Sequence, residues 1–239
     1  MRKGQRRWLQ VAFRNHRLIH VMAALAAWRI VPPGQGFGRT PTEDRAILQI
    51  RIHGRGGQGV VTAAEMLSIA AFEQGRHAQA FPSFGSERTG APVVSFCRID
   101  DKPIRSREPI SAPDVIIVQD AHLLHQVDVF GGLKADGYVL INSKRTAEEL
   151  GVGEVAARLP RGHFVMLEAS DIALKHLGRP LPNAVLLGGF AALTGMISLD
   201  AVVHAIHDKF KGAIAEKNDA AAGEAYAIVE ATTHAEAKA

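Results

Sequence analysis

Apolar and polar positions alternate from Ala46 onward, and the alternation ends in a cluster of glycines. The run reads A-I-L-Q-I-R-I-H and leads directly into G-R-G-G-Q-G, from Gly54 to Gly59. The next residues, V-V-T-A-A-E-M-L-S-I-A-A-F-E-Q-G, carry apolar side chains at helical spacing up to Gly75. A period of two followed by a helical period predicts a strand, a glycine turn and a helix.

Strand-like runs bounded by turn residues continue downstream. They are Gln79 to Phe81, V-V-S-F-C-R-I-D from Val93, P-D-V-I-I-V-Q-D from Pro113, Y-V-L-I-N-S, and H-F-V-M-L-E-A-S from His163. Between them we expect a helix from Ala121 to Leu133 and a helical turn from Thr146 to Leu150. This alternation predicts an α/β fold with an open, mostly parallel, Rossmann-like sheet that is flanked by helices.

Beyond Ser170 the pattern predicts a C-terminal helical segment. It reads D-I-A-L-K-H-L-G, N-A-V-L-L-G-G-F-A-A-L-T-G-M-I and S-L-D-A-V-V-H-A-I-H-D-K-F, followed by an alanine-rich helix near Ala213 to Glu230. The second of these helices is apolar nearly all round. Such a helix must be buried, either within a helical hairpin packed on one face of the sheet or against another subunit.

Charge and composition divide the chain into three expected parts: a basic extension and linker at 1–45, an α/β domain at 46–231 and a tail at 232–239. The extension holds nine of the 28 basic residues and two of the 24 acidic ones, a net charge of +7 that leaves −3 for the rest. The mildly acidic folded part gives no support to a nucleic-acid surface. The apolar patch from Val21 to Trp28 is too short for a bilayer, so we expect no membrane span. An export signal is the alternative interpretation of the extension, but Arg14, His16 and Arg17 interrupt its apolar stretch, and we expect a cytoplasmic protein.

The glycines Gly54, Gly56 and Gly59 satisfy the G-x-G-x-x-G spacing of nucleotide-binding turns. An NAD site would also need an acidic residue at the end of the second strand, and the chain there reads H-A-Q-A-F-P-S-F-G. Two other interpretations stay open: a purely structural turn, and a surface that binds an anion or another subunit through the N–H groups of the helix start.

Catalytic and metal-binding residue sets are not recognisable in the sequence. Cys97 is the single cysteine, so we expect no disulfide, no cysteine-type zinc site and no iron–sulfur cluster held by this chain. The pairs His122/His125 and His204/His207 have the spacing of surface helix residues more often than of metal ligands. A chain of this kind usually works with partners that supply the catalytic groups.

Two motifs carry a family resemblance. I-H-G-R-G-G-Q-G-V-V-T-A-A-E-M-L, followed by A-F-P-S-F-G-S-E-R-T-G-A-P-V, resembles the gamma subunit of the 2-oxoacid:acceptor oxidoreductases, typified by pyruvate:ferredoxin oxidoreductase. The resemblance extends over residues 47–229 and leaves the basic extension uncovered. It implies a complex that oxidatively decarboxylates a 2-oxoacid such as pyruvate, passes electrons to ferredoxin or a similar acceptor, and transfers the acyl group to coenzyme A.

In such a complex this chain would be inactive alone. The resemblance implies alpha, beta and possibly delta-type partner subunits, with thiamine diphosphate and iron–sulfur clusters held by the partners and coenzyme A as co-substrate. The site residues that it implies lie in the glycine turn (Gly54, Arg55, Gly56, Gly57, Gln58 and Gly59) and in the loop that faces the partner (Ser83, Ser86, Glu87, Arg88 and Thr89).

Arg88 and the glycine turn are expected at one sheet edge, since the first two strand–helix units of a doubly wound sheet gather their strand ends there. We expect this edge to face the catalytic subunit and to hold the phosphates of coenzyme A. The alternative is an internal contact between Glu87 and Arg88 that only shapes the loop.

Two other function classes remain open from the sequence. One is a self-sufficient nucleotide-binding oxidoreductase, which would bind NAD alone. The other is a non-catalytic adaptor that acts on a membrane surface or a nucleic acid through the basic extension, and its binding would weaken strongly with salt. Neither accounts for the loop that contains Ser86, Glu87, Arg88 and Thr89.

Overall fold

The computed structural model describes residues 47–83 and 90–236. The chain divides into two units, Met1–Asp44 and Arg45–Ala239, and the described residues belong to the second. The expected basic extension at 1–45 lies outside the described residues, as do Ser86, Glu87, Arg88 and Thr89.

Six strands form one sheet, and the fold class predicted from the sequence is confirmed. The strands are β1 (Leu48–Arg55), β2 (His77–Ser83), β3 (Pro92–Asp100), β4 (Val115–Val118), β5 (Tyr138–Asn142) and β6 (Phe164–Leu167). The helices are α1 (Val60–Glu73), α2 (Gly153–Arg158), α3 (Ala169–Leu177), α4 (Asn183–Thr194), α5 (Leu199–Lys209) and α6 (Ala213–Glu236), with a 3₁₀ helix at Ala121–His125. Helix α6 extends into the segment 232–239 that the sequence assigned to a tail.

The strand order is β2-β3-β1-β4-β5-β6. Strands β1, β4, β5 and β6 are parallel neighbours, whereas β3 is antiparallel to both β1 and β2. A β2–β3 hairpin therefore follows α1, in place of the second strand–helix unit that we expected. Because β3 is reversed, β1 and β2 still point the same way and end at the same edge, which we call the carboxyl edge.

The two faces of the sheet carry two hydrophobic clusters. Alternate residues such as Ile50, Ile52 and Ile117 face the larger cluster, which they share with α1, α3, α4, α5 and α6. Ile116, Val118 and their neighbours face a smaller cluster under the 3₁₀ helix and α2. Strand β4 is buried on both faces, which explains its unbroken apolar run.

Helix α4 lies inside the larger cluster, which decides between the two interpretations of its all-apolar sequence. Ten of its residues are buried, and it packs against α6, α5 and the sheet. The α4–α6 contact depends on Gly188, because a Cβ there would lie 2.1 Å from the carbonyl oxygen of Ala222. The helix is thus buried by its own chain.

The predicted helix from Ala121 to Leu133 is wrong beyond His125, where the 3₁₀ helix ends. The buried Arg51 on β1 donates from Nη2 to the carbonyl oxygens of Val129 and Gly131, both at 2.7 Å. A helix continuing through this segment would direct these carbonyls to its own N–H groups. The arginine therefore holds the segment in an irregular conformation.

Between Thr146 and Leu150 the chain forms a turn, as expected, but the helix α2 that follows was not predicted. Thr146 and Glu149 exchange backbone-to-side-chain hydrogen bonds of 2.9 and 3.3 Å across the turn. Helix α2 has only six residues and begins at a glycine, so its pattern is too short to detect by periodicity.

Replacing Gly188 by Ala should lower the free energy of unfolding by about 1–3 kcal/mol, because the added methyl group forces α4 and α6 apart. Gly223→Ala on α6 is the matched control, since a Cβ there meets no atom within 4 Å. We expect the control to be neutral or to stabilise by up to about 1 kcal/mol. Urea denaturation of both variants measures the difference, and equal effects would contradict the close contact.

Candidate functional site

The glycine turn joins β1 to α1 at the carboxyl edge, and two of its glycines have conformations that favour glycine. Gly57 and Gly59 have φ angles of 94° and 75°, in the left-handed region. Gly54 is required for a different reason: a Cβ there would lie 2.5 Å from Cγ2 of Val60. The spacing predicted from the sequence therefore serves both the turn and the close packing of α1 on β1.

The first turn of α1 presents uncapped N–H groups. Its N-cap residue is Gly59, which offers no side-chain acceptor, and the first turn contains no acidic residue. A helix of 14 residues with free N-terminal N–H groups carries a partial positive charge at that end. The helix start thus keeps the anion-binding capacity that the sequence suggested.

Arg55 and Gln58, two of the predicted site residues, are both engaged within the chain. Arg55 donates from Nε to Oδ2 of Asp120 at 2.7 Å, from Nη1 to the carbonyl of Gly90 at 3.0 Å, and from Nη2 to Oε1 of Gln126 at 3.0 Å. Gln58 accepts from the N–H of Arg55 at 2.8 Å and donates to Asp120 at 3.3 Å. These two side chains fix the turn rather than present free groups to a ligand.

The glycine turn is bonded to the end of the loop that contains the second motif. The N–H of Gly56 donates to the carbonyl of Ala91 at 3.0 Å, and the N–H of Gly90 donates to the carbonyl of Gly56 at 3.2 Å. Ser83 ends β2 at the same edge, opposite Val94 of β3. The flank at Gly90 and Ala91 is therefore next to the turn, and the flank at Ser83 ends one strand away at the same edge. Ser86, Glu87, Arg88 and Thr89 themselves lie outside the described residues.

A cleft of ≈ 620 Å³ runs along the carboxyl edge, from the turn across the ends of β4, β5 and β6. It opens near the switch point between β1 and β4, where the chain runs from β1 to β2 on one side of the sheet and from β4 to β5 on the other; this is the usual ligand position in open α/β sheets. Its lining residues are Gln58, Gln119, Asp120, Ala121, His122, His125, Asn142, Ser143, Lys144, Arg145, Glu168, Ser170 and Asp171.

Asp120 is the central charge of the cleft. Burial raises the pKa of Asp120, but hydrogen bonds from His122 and Arg55 outweigh that effect and hold its pKa below the usual range. Its Oδ1 accepts from the N–H of His122 at 3.0 Å. The carboxylate is therefore ionised at neutral pH and serves as an acceptor, not as a proton donor.

Gln119 is the feature that the sequence analysis missed. Its side chain is buried at 1% exposure, contacts the position of Gly54 and lines the cleft. Neither amide atom has a hydrogen-bond partner in the described part of the chain. A buried amide without a partner costs about 1–3 kcal/mol, so it indicates a place where a ligand or water would bind. The Q-D pair directly after the apolar run of β4 was the available signal.

Asn142 and Lys144, two other polar residues of the cleft, are both paired. Asn142 donates to the carbonyl of Gln119 and to Oγ of Ser170, both at 2.8 Å, which ties the ends of β4 and β5 to the start of α3. Lys144 forms an ion pair with Asp171, and this partner raises the pKa of Lys144. Arg145 has no side-chain partner in the described ranges.

The reversed strand β3 bears on the NAD alternative. In a dinucleotide site the second strand lies beside the first and supplies the ribose-binding acid from its end. Here β3 lies between β1 and β2, so the end of β2 is one strand removed from the glycine turn. The arrangement gives no support to a self-sufficient NAD-binding enzyme.

Three of the four histidines in the pairs His122/His125 and His204/His207 each contact a single carboxylate. His122 contacts Asp120, His204 contacts Glu73, and His207 contacts Asp219. Within residues 47–83 and 90–236, no group of three or more His, Cys, Asp or Glu residues could hold a metal ion. The helices in these same ranges include none that is long and apolar enough to cross a membrane.

Comparisons with known proteins agree with the motifs. The family model for pyruvate ferredoxin/flavodoxin oxidoreductase matches residues 49–228. The pyruvate/ketoisovalerate oxidoreductases common subunit gamma of Thermococcus kodakarensis is 49% identical over 180 residues, which cover 75% of this chain and 96% of that protein. Pyruvate synthase subunit PorC of Methanothermobacter marburgensis is 48% identical with the same coverage.

A solved structure shows the same similarity in three dimensions. The crystal structure of pyruvate oxidoreductase subunit PORC from Thermotoga maritima has a TM-score of 0.64 and 34% sequence identity, and the match covers 76% of this chain and 96% of that one. Together with the sequence matches, it confirms the resemblance stated from the two motifs.

Replacing Asp120 by Asn should lower the free energy of unfolding by about 1–3 kcal/mol at neutral pH, because the charged acceptor of Arg55, Gln58 and His122 is lost. The folded-state pKa of Asp120 is depressed, so its contribution is complete above the unfolded value of about 3.9 and is lost as pH falls through the folded pKa. The difference from the natural protein should therefore shrink below about pH 4. Urea denaturation over a pH series measures it.

Asp136→Asn is the control for this experiment, since Asp136 is exposed and its carboxylate has no ion pair in the described part of the chain. We expect little change at any pH. If the two variants lose stability equally at neutral pH, the central role of Asp120 is wrong.

Proposed function

Because the chain belongs to the pyruvate ferredoxin/flavodoxin oxidoreductase family, we propose that it is the gamma-type subunit of a complex that oxidatively decarboxylates pyruvate or a related 2-oxoacid to acyl-CoA and CO2. The observation that carries this proposal is the 49% identity to a common gamma subunit over 96% of that protein's length. Both motifs fall within the matched residues.

The cofactors of the reaction belong to partner subunits in this proposal. An iron–sulfur cluster usually needs four cysteine thiolates, and this chain has one cysteine. Burial raises the pKa of Cys97 to about 12, which disfavours the thiolate form that binds metals. Alpha, beta and possibly delta-type subunits would hold thiamine diphosphate and the clusters and would pass electrons to ferredoxin or a similar acceptor in the cytoplasm.

The role of this chain would be to present its carboxyl edge to the catalytic subunit and to help hold the phosphates of coenzyme A. Support comes from the uncapped start of α1 and from the hydrogen bonds that place Gly90 and Ala91 on the glycine turn. Since Arg55 is bound to Asp120, the donors toward a phosphate would be the helix N–H groups after Gly57 and the guanidinium of Arg88.

Purification of the tagged chain from its source cell tests the proposal. We expect a complex that contains thiamine diphosphate and iron–sulfur clusters and that oxidises pyruvate only with coenzyme A present. The chain expressed alone should show no visible iron–sulfur absorbance, no binding of thiamine diphosphate and no activity. Cluster absorbance from the isolated chain, or a complex without 2-oxoacid oxidation, would contradict the assignment.

In the reconstituted complex, Arg88→Ala should raise the apparent KM for coenzyme A by roughly one to two orders of magnitude, with about 1.5–3 kcal/mol at stake for a charge-assisted hydrogen bond. The KM for the 2-oxoacid should stay near its normal value. Arg107→Ala is the control arginine, because Arg107 is exposed and follows β3, whose end lies at the opposite edge.

If Arg88→Ala leaves coenzyme A kinetics unchanged and dissociates the subunits, the edge is an assembly surface without a ligand role. Unchanged kinetics in an intact complex would instead support the alternative in which Glu87 and Arg88 shape the loop.

A further inference from the structure

Strand β6 is the last strand of the sheet, and no other described strand lies on the outer side of its backbone. It pairs only with β5 within the described residues. The carbonyls of His163 and Leu167 accept from the N–H groups of Val139 and Ser143 at 2.7 and 3.0 Å. Because backbone groups alternate sides along a strand, the N–H and C=O groups of Phe164 and Met166 point to the open side.

The open side of β6 forms the floor of a groove of ≈ 670 Å³. Residues of α2 and the segment after it form one wall, including Ala156 and Leu159, and the end of α6 contributes Thr232 and Glu236. The groove therefore gives a single extended chain access to the free backbone groups.

Strand β6 lacks the devices that keep exposed edges from pairing. Its sequence is F-V-M-L, with no charge, no proline and no glycine, whereas the opposite edge strand β2 contains Pro82. Natural proteins protect an edge strand with such residues or cover it. An unprotected apolar edge in a groove is typical of a strand that is covered by a partner.

Charges along the groove indicate the chemistry of that partner. The lining contains Lys144, Arg145 and Arg161 together with Glu168 and Glu236. Lys144 already pairs with Asp171, so Arg145 and Arg161 are the lining cations that can bind a carboxylate of the partner. Arg161 precedes β6 and Arg145 follows β5, which places one arginine near each end of the floor. Neither guanidinium has a side-chain partner among residues 47–83 and 90–236.

We propose that the open edge of β6 receives an extended, acidic segment from another subunit of the complex, which adds a seventh strand to the six-stranded sheet. The backbone of Phe164 and Met166 supplies the hydrogen bonds, and Arg145 and Arg161 bind carboxylates near the ends of the segment. The inference rests on the proposed function, because it requires that the chain works within a multi-subunit complex.

Amide hydrogen exchange in the free chain and in the reconstituted complex tests the added strand directly. The amides of Phe164 and Met166 should exchange quickly in the free chain and roughly 100-fold more slowly in the complex. The amides of Val165 and Leu167 are the internal reference, since they point toward β5 in both states and should remain protected.

Met166→Pro removes the outward N–H without altering a hydrogen bond to β5, which an edge strand tolerates. It should weaken binding of the partner subunit about tenfold or more, whereas Met166→Ala, which keeps the N–H, should weaken it less than about threefold. Melting curves of the free variants verify that both remain folded.

Arg161→Glu tests the charges and should also weaken binding about tenfold, with a strong salt dependence. Arg158→Glu is its matched control: Arg158 is exposed, pairs with Glu154 and does not line the groove. The control should bind the partner within about twofold of the natural chain.

Rapid exchange of the Phe164 and Met166 amides within an assembled, active complex would overturn the edge inference and leave the proposed function intact. Failure to form any complex would overturn the proposed function instead. Protection that depends on the concentration of the isolated chain would show a second copy on the edge and would also overturn the inference.

Discussion

The ion pair between Arg55 and Asp120 is the interaction on which the carboxyl edge depends. Through one guanidinium, the end of β1 is bonded to Asp120 after β4, to Gly90 within the second motif and to Gln126 at the end of the 3₁₀ helix. The family resemblance places Arg55 among the site residues, but in the structure its guanidinium bonds separate segments of the chain to one another. Its charge is neutralised within the chain, so an anion bound at this point would meet helix N–H groups rather than a free cation.

Much of the fold could be predicted because its strands and long helices follow local rules. The strand directions were harder: β3 was not recognised as reversed, although its alternating sequence contrasts with the unbroken apolar run of β4, a difference typical of antiparallel and parallel strands. The helix expected from Ala121 to Leu133 was wrong because Arg51, far away in the sequence, binds its carbonyls. No local pattern contains such a contact.

The candidate site could also be predicted only where local sequence rules determine it. The glycine spacing located the turn, because a tight turn and a close helix contact both require small residues. The sequence did not identify Gln119 or the partner of Arg55, since both depend on β4 lying beside β1. Whether the amide of Gln119 has a hydrogen-bond partner depends on which side chains pack around it, and the sequence alone does not give that packing.

The reversed position of β3 has a consequence for the order in which a growing chain can fold. Helix α1, β2 and β3 are synthesised before β4, and the β2–β3 hairpin that pairs with β1 through β3 needs only local chain closure. The parallel neighbour β4 comes later and must add to an edge of β1 that is still open. Until β4 has been synthesised, one edge of β1 therefore lacks its partner strand, and an unpaired edge of this kind makes an incomplete chain prone to aggregation.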